Sequence, residues 1–438
     1  MCPRVKKSGA AFIPLLFSCS LLVLLLVSFA VSVGASSGWS QTYGGADADG
    51  ALSLTQTADG GYCLAGYTRS FGAGEEDFWL VKVDSSGNMQ WNRTYGGTES
   101  DIALYVIETA DGGYSMVGYT GSFGAGGDDF WLIKTDSSGN MEWNRTIGGA
   151  GDDYAFSLAE TVDGGYTVAG YTRSYGAGRD DFWLVKTDSS GNAEWNRTYG
   201  GWDDEGAISL VLCSDGGYAL AGMTESFGYG SDRDDFWLVK TDSFGNMEWN
   251  QTYGGTIREY GFCLVQASDG GYAFAGSTCS FGAGNHDSWL VKTDGFGNME
   301  WSQTYGGTDS DGTTSLIQTA DGGYVLSGTT CSFGQGENDF WLVKTCKNGE
   351  MMWSQTYGGA GDNISSSLVE TSDGGYAIAG YTYSVGAGNS DAWLIKTDEQ
   401  GVIPEFPAGI ILPLFLFITL CAVATKKKTL HQLANTRK

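Results

Sequence analysis

The chain has 438 residues, of which 69 are glycine and five are proline, and its formal net charge at pH 7 is −27. Eight of its 24 basic residues lie in the first 35 and the last 31 positions, which contain no acidic residue, so the part between them carries a net charge of −35. Because a phosphate backbone is bound by a positive surface, this charge excludes nucleic acid as the partner. It favours a highly soluble protein surface, with cation binding as the alternative.

Residues 1–35 have the composition of a secretory signal peptide. A basic start (residues 4–7) precedes a long apolar run, and the small residues Val-Gly-Ala (33–35) precede Ser36. This order predicts export and cleavage before Ser36. Since the apolar run is longer than usual, an uncleaved membrane anchor is the alternative.

Residues 36–402 consist of seven copies of one repeat. The leading tryptophans are Trp39, Trp91, Trp143, Trp195, Trp249, Trp301 and Trp353, which are 52 residues apart except for one gap of 54. The third copy predicts four short strands, at residues 155–161, 166–174, 181–188 and 193–199. Asp-Gly-Gly and Ser-Gly-Asn separate them, and these are hairpin sequences because glycine and asparagine tolerate positive φ. Four antiparallel strands in about 40 to 50 residues are typical of a β-propeller blade.

The two ends of the repeat region decide how the blades are arranged. The last copy stops after its third strand (residues 391–398), and the chain begins with the missing fourth strand (residues 38–43). The sequence therefore predicts an all-β, seven-bladed propeller whose last blade is completed by the N-terminal strand, so that no sheet edge is left open.

Two residues of the repeat are predicted to be structural. An aspartate opens every third strand, where it would accept amide hydrogen bonds from the glycine-rich loop before it. The seven copies are Asp77, Asp129, Asp181, Asp235, Asp287, Asp339 and Asp391. A glycine in the middle of every second strand, such as Gly170, is predicted to let a tryptophan of a neighbouring sheet approach the backbone.

Three resemblances agree with this fold. The element Asp136, Gly139, Asn140 and Trp143 (D-x-x-G-N-x-x-x-W) resembles both the tryptophan-docking turn of quinoprotein-type propellers and the Asp-box of sialidases, although its spacing matches neither in full. The third-strand aspartate resembles the structural aspartate of WD-repeat propellers. The whole repeat resembles glycine-rich propeller repeats of large secreted prokaryotic proteins, which implies the fold and no particular activity.

Ligand binding is predicted on the face that carries the varied, acidic loops, because function usually lies where a scaffold lets its loops vary. Blade four stands out by a tryptophan outside the repeat pattern and a two-residue insertion, and blade five adds basic residues. The candidate ligand-binding residues are Trp202, Asp203, Asp204, Tyr229, Asp232, Arg233, Arg258 and His286. Aromatic rings beside carboxylates and arginine suit a carbohydrate or a peptide; drift between repeats is the alternative explanation.

Two loops contain part of a calcium-binding pattern. Their aspartates are Asp47, Asp49, Asp309 and Asp311, but the bidentate glutamate of a calcium loop is absent at the required later position. Calcium is thus a possible ligand, and the sequence indicates no other cofactor. The six cysteines between the terminal segments have no C-x-x-C spacing, which argues against zinc and favours unpaired thiols.

Five sequons predict N-glycosylation: Asn92, Asn144, Asn196, Asn250 and Asn363. Four of them lie in the fourth strand, which is the outermost one in this arrangement. Glycans there would shield the edges of the blades.

The C-terminal segment predicts attachment to the cell envelope. Residues 403–407 contain Pro-Glu-Phe-Pro, residues 408–425 are uncharged and long enough to span a bilayer, and residues 426–438 form a basic tail expected on the cytoplasmic side. Together they resemble the PEF-type sorting signal of archaeal surface proteins, which implies that an archaeosortase removes the helix. A simple membrane anchor is the alternative.

The sequence therefore predicts a monomeric propeller on the outside of an archaeal cell that binds glycans, matrix or neighbouring proteins. One of the two histidines, His431, lies in the tail, and no nucleophile–base arrangement is evident. An extracellular glycosidase or lyase is the alternative, since two carboxylates about 5 to 9.5 Å apart suffice for glycoside hydrolysis. A scaffold of the S-layer type without a ligand is the third hypothesis.

Overall fold

The computed structural model describes residues 38–229 and 234–403. The predicted signal peptide (1–35), the C-terminal helix (408–425) and the basic tail (426–438) lie outside the described residues. Within the described part of the chain, no helix is long and apolar enough to cross a membrane.

The described residues form 28 strands. The first strand of the described residues is β1 (Trp39–Tyr43). The first strands of the blades are β2 (Asp49–Gln56), β6 (Asp101–Glu108), β10 (Asp153–Glu160), β14 (Glu205–Leu212), β18 (Glu259–Gln266), β22 (Asp311–Gln318) and β26 (Asn363–Glu370). The second strands are β3 (Tyr62–Thr68), β7 (Tyr114–Thr120), β11 (Tyr166–Thr172), β15 (Tyr218–Thr224), β19 (Tyr272–Thr278), β23 (Tyr324–Thr330) and β27 (Tyr376–Thr382). The third strands are β4 (Asp77–Val83), β8 (Asp129–Thr135), β12 (Asp181–Thr187), β16 (Asp235–Thr241), β20 (Asp287–Thr293), β24 (Asp339–Thr345) and β28 (Asp391–Lys396). The fourth strands are β5 (Met89–Tyr95), β9 (Met141–Ile147), β13 (Ala193–Tyr199), β17 (Met247–Tyr253), β21 (Met299–Tyr305) and β25 (Met351–Tyr357).

These strands pair into seven antiparallel sheets of four, each following the order of the sequence except the last. In that sheet the order is β1-β28-β27-β26, so the N-terminal strand supplies the outer strand of blade seven. The register pairs Trp39 with Lys396 and Thr42 with Trp393, and the indole nitrogen of Trp393 donates to Ser40 Oγ at 3.4 Å. The prediction of a seven-bladed propeller closed by its first strand is confirmed.

Burial differs from strand to strand within a blade. Every residue of β12 is buried, as the unbroken apolar run Phe-Trp-Leu-Val predicts for a strand that is covered on both faces. The outermost strand β13 is mostly exposed along its first half. Rings of adjacent blades pack between the sheets: Phe130 lies 4.6 Å from Trp183 between ring centroids. The core is therefore a series of interfaces between blades.

The mid-strand glycine meets a different neighbour from the one predicted. A Cβ placed on Gly170 would lie 1.9 Å from the carbonyl oxygen of Tyr154, in the first strand of the same blade. That strand has a bulge between Ala155 and Ser157, and this irregularity brings its backbone against Gly170. The expected tryptophan is wrong, because the inner strand fills the space. At Gly276 and Gly380, a bulky ring of the preceding blade does approach the glycine, but it is the phenylalanine Phe236 or Phe340.

The tryptophan of each fourth strand instead contacts a hairpin turn of the next blade. A Cβ on Gly139, which has a φ of +74°, would lie 2.7 Å from Cζ3 of Trp91. Tyr95 donates its hydroxyl to the carbonyl oxygen of Gly139 at 2.6 Å. The turn in D-x-x-G-N therefore receives the tryptophan of the preceding blade, and this contact holds consecutive blades together.

A buried lysine lies beside the Asp-Gly-Gly turn of each blade. Lys186, for example, donates to the carbonyl oxygen of Thr187 at 2.7 Å and forms ion pairs with Asp163 and Glu194 at 3.0 and 3.2 Å. The seven copies are Lys82, Lys134, Lys186, Lys240, Lys292, Lys344 and Lys396. The Asp-Gly-Gly turns are thus stabilised by ion pairs with the buried lysines as well as by their hairpin conformation.

Candidate binding site at the loop face

Two sets of loops share one face of the propeller, which we call the loop face. The entry loops lead from a fourth strand into the next first strand, and the long loops join second and third strands. The entry loops are residues 44–48, 96–100, 148–152, 200–204, 254–258, 306–310 and 358–362. The long loops are residues 69–76, 121–128, 173–180, 225–234, 279–286, 331–338 and 383–390, of which 230–233 lie outside the described residues. The hairpins on the opposite end form the turn face.

A cavity of about 400 Å³ occupies the centre of the ring. Each blade contributes the bulged residue of its first strand, which has no partner in the strand register. These residues are Leu52, Leu104, Phe156, Ile208, Phe262, Thr314 and Ser366, and all of them line the cavity. The bulge thus directs one extra side chain per blade inward. Five of these seven side chains are apolar, and two of them carry a hydroxyl group; further serine and tyrosine residues contribute to the lining.

Four tyrosines form an arc near the loop face, and one of them, Tyr381, lines the cavity. Tyr67, Tyr119, Tyr171 and Tyr381 occupy one position of the second strand in blades one, two, three and seven, which are neighbours in the ring. We call these four residues the tyrosine arc. Met223, Ser277 and Thr329 occupy the same position in the other three blades.

Further rings extend the tyrosine arc. The ring centroid of Tyr154 lies 4.6 Å from that of Tyr119 and 5.1 Å from that of Tyr171. Tyr171 in turn stacks on Phe156 of the cavity wall at 5.7 Å. An aromatic surface therefore runs from the loop face into the cavity.

Carboxylates surround the tyrosine arc. Tyr154 donates its hydroxyl to Asp128 Oδ2. Burial raises the pKa of Tyr119 to about 12, with a further contribution from the negative charge of Asp128. The pKa of Tyr171 is also raised to about 12, by burial and then by the charge of Asp180. These hydroxyl groups are neutral donors at physiological pH, next to acceptors that can also bind hydroxyl groups of a ligand.

In four of the long loops, the first residue contacts the residue seven positions later, and these pairs differ between blades. Arg69 donates to Glu76 at 2.7 Å, and Arg173 donates to Asp180 at 2.6 Å. In blade five the pair is Cys279 and His286, whose Sγ and Nδ1 atoms are 3.1 Å apart. Cys331 and Asn338 form the fourth pair, so the rim of the loop face carries dissimilar pairs on a uniform scaffold.

The structure brings only some of the predicted ligand-binding residues together. Asp204 lies 4.0 Å from Arg179, and Arg258 lies 3.8 Å from Asp234. Between them is Glu225, whose pKa is raised by burial and by the negative charges of Asp234, Asp204 and Asp203. The acidic cluster at the boundary of blades four and five is centred on Glu225 and Asp234, which the sequence interpretation missed. A signal was present, since Glu225 occupies the position that is arginine in blades one and three.

The other predicted ligand residues lie apart from this cluster. The Trp202 side chain is 85% exposed and that of Tyr229 is 61% exposed. His286 contacts Cys279 and lies 6.2 Å from the ring of Tyr260. Asp232 and Arg233 are outside the described residues. Blade four therefore presents exposed aromatic rings beside, and not within, the acidic cluster.

The calcium candidates are not arranged as one site. Asp49 is buried and accepts hydrogen bonds from Gly45 N and Ser70 Oγ, and Asp311 likewise accepts from Gly307 N and Ser332 Oγ. The main-chain nitrogens of Asp47 and Asp309 donate to these same two serines. Within residues 38–229 and 234–403, no group of three or more His, Cys, Asp or Glu side chains is arranged to hold a metal ion.

The third-strand aspartates accept amide hydrogen bonds from the long loop. Asp181, for example, accepts from Ala177 N at 2.9 Å and from Gly178 N at 3.0 Å. Corresponding bonds reach Asp77, Asp129, Asp235, Asp287, Asp339 and Asp391. Their carboxyl groups are buried and shape the long loops.

The five sequons differ in accessibility. Asn144, Asn196 and Asn250 are exposed on the outermost strands, and Asn92 is half-buried there. Asn363 is fully buried, and its Nδ2 donates to Gly361 O at 2.8 Å and to Ser384 Oγ at 3.1 Å. Glycosylation of Asn363 is therefore a wrong prediction for the folded chain, because the amide nitrogen that would carry the glycan is enclosed.

The described cysteines are unpaired, and Cys63, Cys213 and Cys263 are buried.

No protein-family model matches the chain. It is 25% identical over 250 residues to the regulatory protein FlaEY of Caulobacter vibrioides, a match that covers 51% of this chain and 26% of that protein. The chain thus spans about a quarter of the length of this curated relative.

Solved structures resemble the chain at low sequence identity. BamB of Moraxella catarrhalis is 12% identical with a TM-score of 0.41, covering 82% of this chain and 100% of that one. The WD40 domain of Pan2 from Neurospora crassa is 10% identical with a TM-score of 0.47, covering 82% and 99%. These likenesses concern the fold alone, and the seven paired sheets show that fold independently: the chain is a β-propeller repeat protein.

Proposed function

We propose that this propeller is a binding module on the outside of the cell and that it binds surface glycans at the centre of the loop face. The observation that carries the proposal is the tyrosine arc, which is confined to four adjacent blades and leads to the cavity wall at Phe156. Repetition alone does not explain it, because blades four to six have methionine, serine and threonine at the same position.

The chemistry of this surface suits sugar rings. Tyrosine offers a large flat apolar face together with a hydroxyl group, and the carboxylates beside the tyrosine arc can accept hydrogen bonds from sugar hydroxyls. Ligand pockets are typically concave and combine an apolar wall with a few well-placed polar groups, and a sugar ring can use both the apolar contacts and the hydrogen bonds. The residues that line the cavity itself are mostly aliphatic, aromatic or hydroxyl-bearing, and such side chains suit contact with the apolar faces and hydroxyl groups of a sugar.

A glycan array probed with the full chain tests the proposal, with surface proteins of the same cell as a second panel. We expect Tyr119→Ala and Tyr171→Ala each to weaken binding at least about tenfold, which corresponds to roughly 1.4 kcal/mol. Phe296→Ala is the matched control, because this ring is 75% exposed on the turn face. Equal binding by wild type and both tyrosine variants would move the site away from the arc.

We further propose that the propeller is exported and held at the envelope through residues 408–425, unless an archaeosortase removes them. The net charge of −35 on the part between the terminal segments supports an exposed surface protein. Mass spectrometry of the native protein should find Ser36 as the N-terminus and glycans on Asn144, Asn196 or Asn250. A native chain that retains Met1 and carries no glycan would contradict cleavage of a signal peptide and glycosylation outside the cell.

A further inference from the structure

Buried carboxyl groups meet in pairs at the boundaries between blades, next to the loop face. The first residue of a third strand, such as Asp77, lies beside the first residue of the next blade, such as Asp101. A Cβ on Gly96, which lies between them, would be 1.8 Å from Asp77 Oδ1 and 2.8 Å from Asp101 Oδ2. The other boundaries have Asp129 with Asp153, Asp181 with Glu205, Asp235 with Glu259, Asp287 with Asp311, Asp339 with Asn363, and Asp391 with Asp49.

The two members of a pair have very different hydrogen bonds. Asp101 accepts from the hydroxyl of Thr120, from Ser122 Oγ at 2.7 Å and from Gly97 N at 2.8 Å. Asp77 accepts at Oδ2 from Ala73 N, whereas its buried Oδ1 has no donor among the described residues.

The same orphaned oxygen occurs at Asp129 and Asp235. Buried acceptors are almost always hydrogen-bonded, so an orphaned oxygen that faces a second carboxylate requires an explanation. None of the ion pairs within residues 38–229 and 234–403 includes a member of these three pairs. A hydrogen bond between the two carboxyl groups would satisfy the orphaned oxygen.

The boundary between blades six and seven shows what fills the gap when one carboxyl group is replaced. Here Asn363 takes the place of the second acid, and its Nδ2 donates to Asp339 Oδ1 at 3.2 Å. Thr382 Oγ1 donates to the amide oxygen of Asn363 at 2.6 Å, just as Thr120 donates to Asp101. A hydrogen-bond donor therefore fits between the two groups, and in the other pairs a proton can serve as that donor.

We propose that the pairs Asp77–Asp101, Asp129–Asp153 and Asp235–Glu259 each hold one shared proton at neutral pH and act as pH-sensitive links between blades. The third-strand aspartate carries the proton and donates it from Oδ1 to the carboxylate of the next blade. That carboxylate keeps the negative charge, because it already accepts several hydrogen bonds. Loss of the proton to solvent leaves two carboxylates facing each other across a blade boundary.

The groups around each pair are consistent with a retained proton. Burial raises the pKa of Asp77, and the negative charge of Asp101 raises it further. The pKa of Asp235 is raised in the same way, by burial and then by Glu259. For Asp129, whose pKa is also raised by burial, the facing acids are Asp153 and Asp128.

The cations near these pairs are already engaged. Arg69 is paired with Glu76 on the long loop beside Asp77, and Arg258 is paired with Asp234 beside Asp235.

Because the aspartate pKa is higher in the folded than in the unfolded chain, the stabilisation is complete below about pH 4 and is lost as pH rises through the folded value.

Infrared spectroscopy of the full chain, labelled with ¹³C in the aspartate side chains, tests the proposal without relying on stability. We expect a protonated carboxyl band at pH 7 in the wild type. The double variant Asp101→Asn/Asp153→Asn should weaken this band, because each asparagine supplies the donor and lets the third-strand aspartate ionise. The reverse variant Asn363→Asp should strengthen it.

Denaturation of the same proteins supplies the second measurement. Above about pH 4, the folding equilibrium constant should fall with rising pH by up to about tenfold per pH unit for each pair that keeps its proton in the folded chain, and Asn363→Asp should steepen this dependence. Absence of the band in the wild type, or no response to Asn363→Asp, would overturn the proposal. A melting temperature that rises on addition of calcium and falls with a chelator would also overturn it, since a cation would then bridge the carboxylates.

Discussion

The two faces of the propeller are built from the same repeat but are stabilised in opposite ways. On the turn face, contacts repeat from blade to blade: the tryptophan lies on the turn glycine, the tyrosine hydroxyl bonds the same turn, and the buried lysine meets an aspartate. On the loop face, pairs form in four of the long loops and differ from one to the next, from Arg69 and Glu76 to Cys279 and His286. One face maintains the ring, and the other is free to diversify.

The two faces are also expected to respond to pH in opposite directions. Hydrogen bonds from Thr161 and Lys186 lower the pKa of Asp163 on the turn face to about 2, so stabilisation there is present above about pH 4 and is lost as pH falls through the folded value. On the loop face, burial raises the pKa of Asp77, so stabilisation is lost as pH rises. The ring is thus held at both ends only in the intermediate pH range.

The largest effect should come from the turn glycines that receive a tryptophan. Gly87 and Gly60 have φ values of +79° and +80°, but a Cβ on Gly87 would lie 2.7 Å from Trp39 Cζ3, whereas one on Gly60 has no neighbour within 4 Å. We expect Gly87→Ala to cost about 3 kcal/mol of unfolding free energy and Gly60→Ala about 1 kcal/mol, the backbone strain alone. Urea denaturation measures both. Equal losses would show that Trp39 contributes nothing to closure of the ring.

A smaller effect should follow when a buried lysine loses its partner. Lys82 is paired with Asp59, whereas Lys186 is paired with both Asp163 and Glu194. Asp59→Asn should therefore cost about 1 to 3 kcal/mol, because a buried charge loses its partner, and Asp163→Asn less than about 1 kcal/mol. Thermal unfolding of the two variants at pH 7 compares them directly. A larger loss for Asp163→Asn would contradict this ordering.

Most of the turn face could be predicted from the sequence, because its residues repeat at a fixed period. The seven blades, the closing strand and the hairpins all follow from the spacing of Trp39, Trp91 and their equivalents. The buried lysines were missed, since a lysine in an apolar strand gives no sign of the turn aspartate that it meets. The partner of Gly170 was wrong because a β-bulge depends on backbone geometry that the repeat pattern does not contain.

The loop face was predicted less well, and for a physical reason. Its groups come together from different blades, so closeness in sequence says little about contact. Trp202 and His286 were grouped by sequence although they contact different neighbours, whereas Asp234 and Glu225 meet Asp204 across the loops. The tyrosine arc was visible as one position of the repeat, but only the ring places Tyr381 beside Tyr67.

The opposite pH response of the two faces should be visible in hydrogen exchange. Between pH 4 and about pH 2, protection should fall first at the Asp-Gly-Gly turns, where Thr161 and Asp163 lie. As pH rises above about pH 4, it should fall first around Gly97 and Asp101 on the loop face, after correction for the intrinsic exchange rate. Uniform loss of protection in both ranges would indicate a single global transition and would remove the distinction between the faces.

The smallest effect on stability should come from the most exposed aromatic residue of the loop face. Trp202 is 85% exposed, so Trp202→Ala should change the free energy of unfolding by less than about 0.5 kcal/mol, as is usual at surface positions. Trp195, only seven residues earlier, packs on Gly245 of the next blade, and Trp195→Ala should cost about 3 kcal/mol. Because the two substitutions remove the same side chain, their difference measures what the turn face requires and the loop face does not. If Trp202→Ala destabilised the chain as much as Trp195→Ala, the loop face would be part of the scaffold, and its variability could not be attributed to ligand binding.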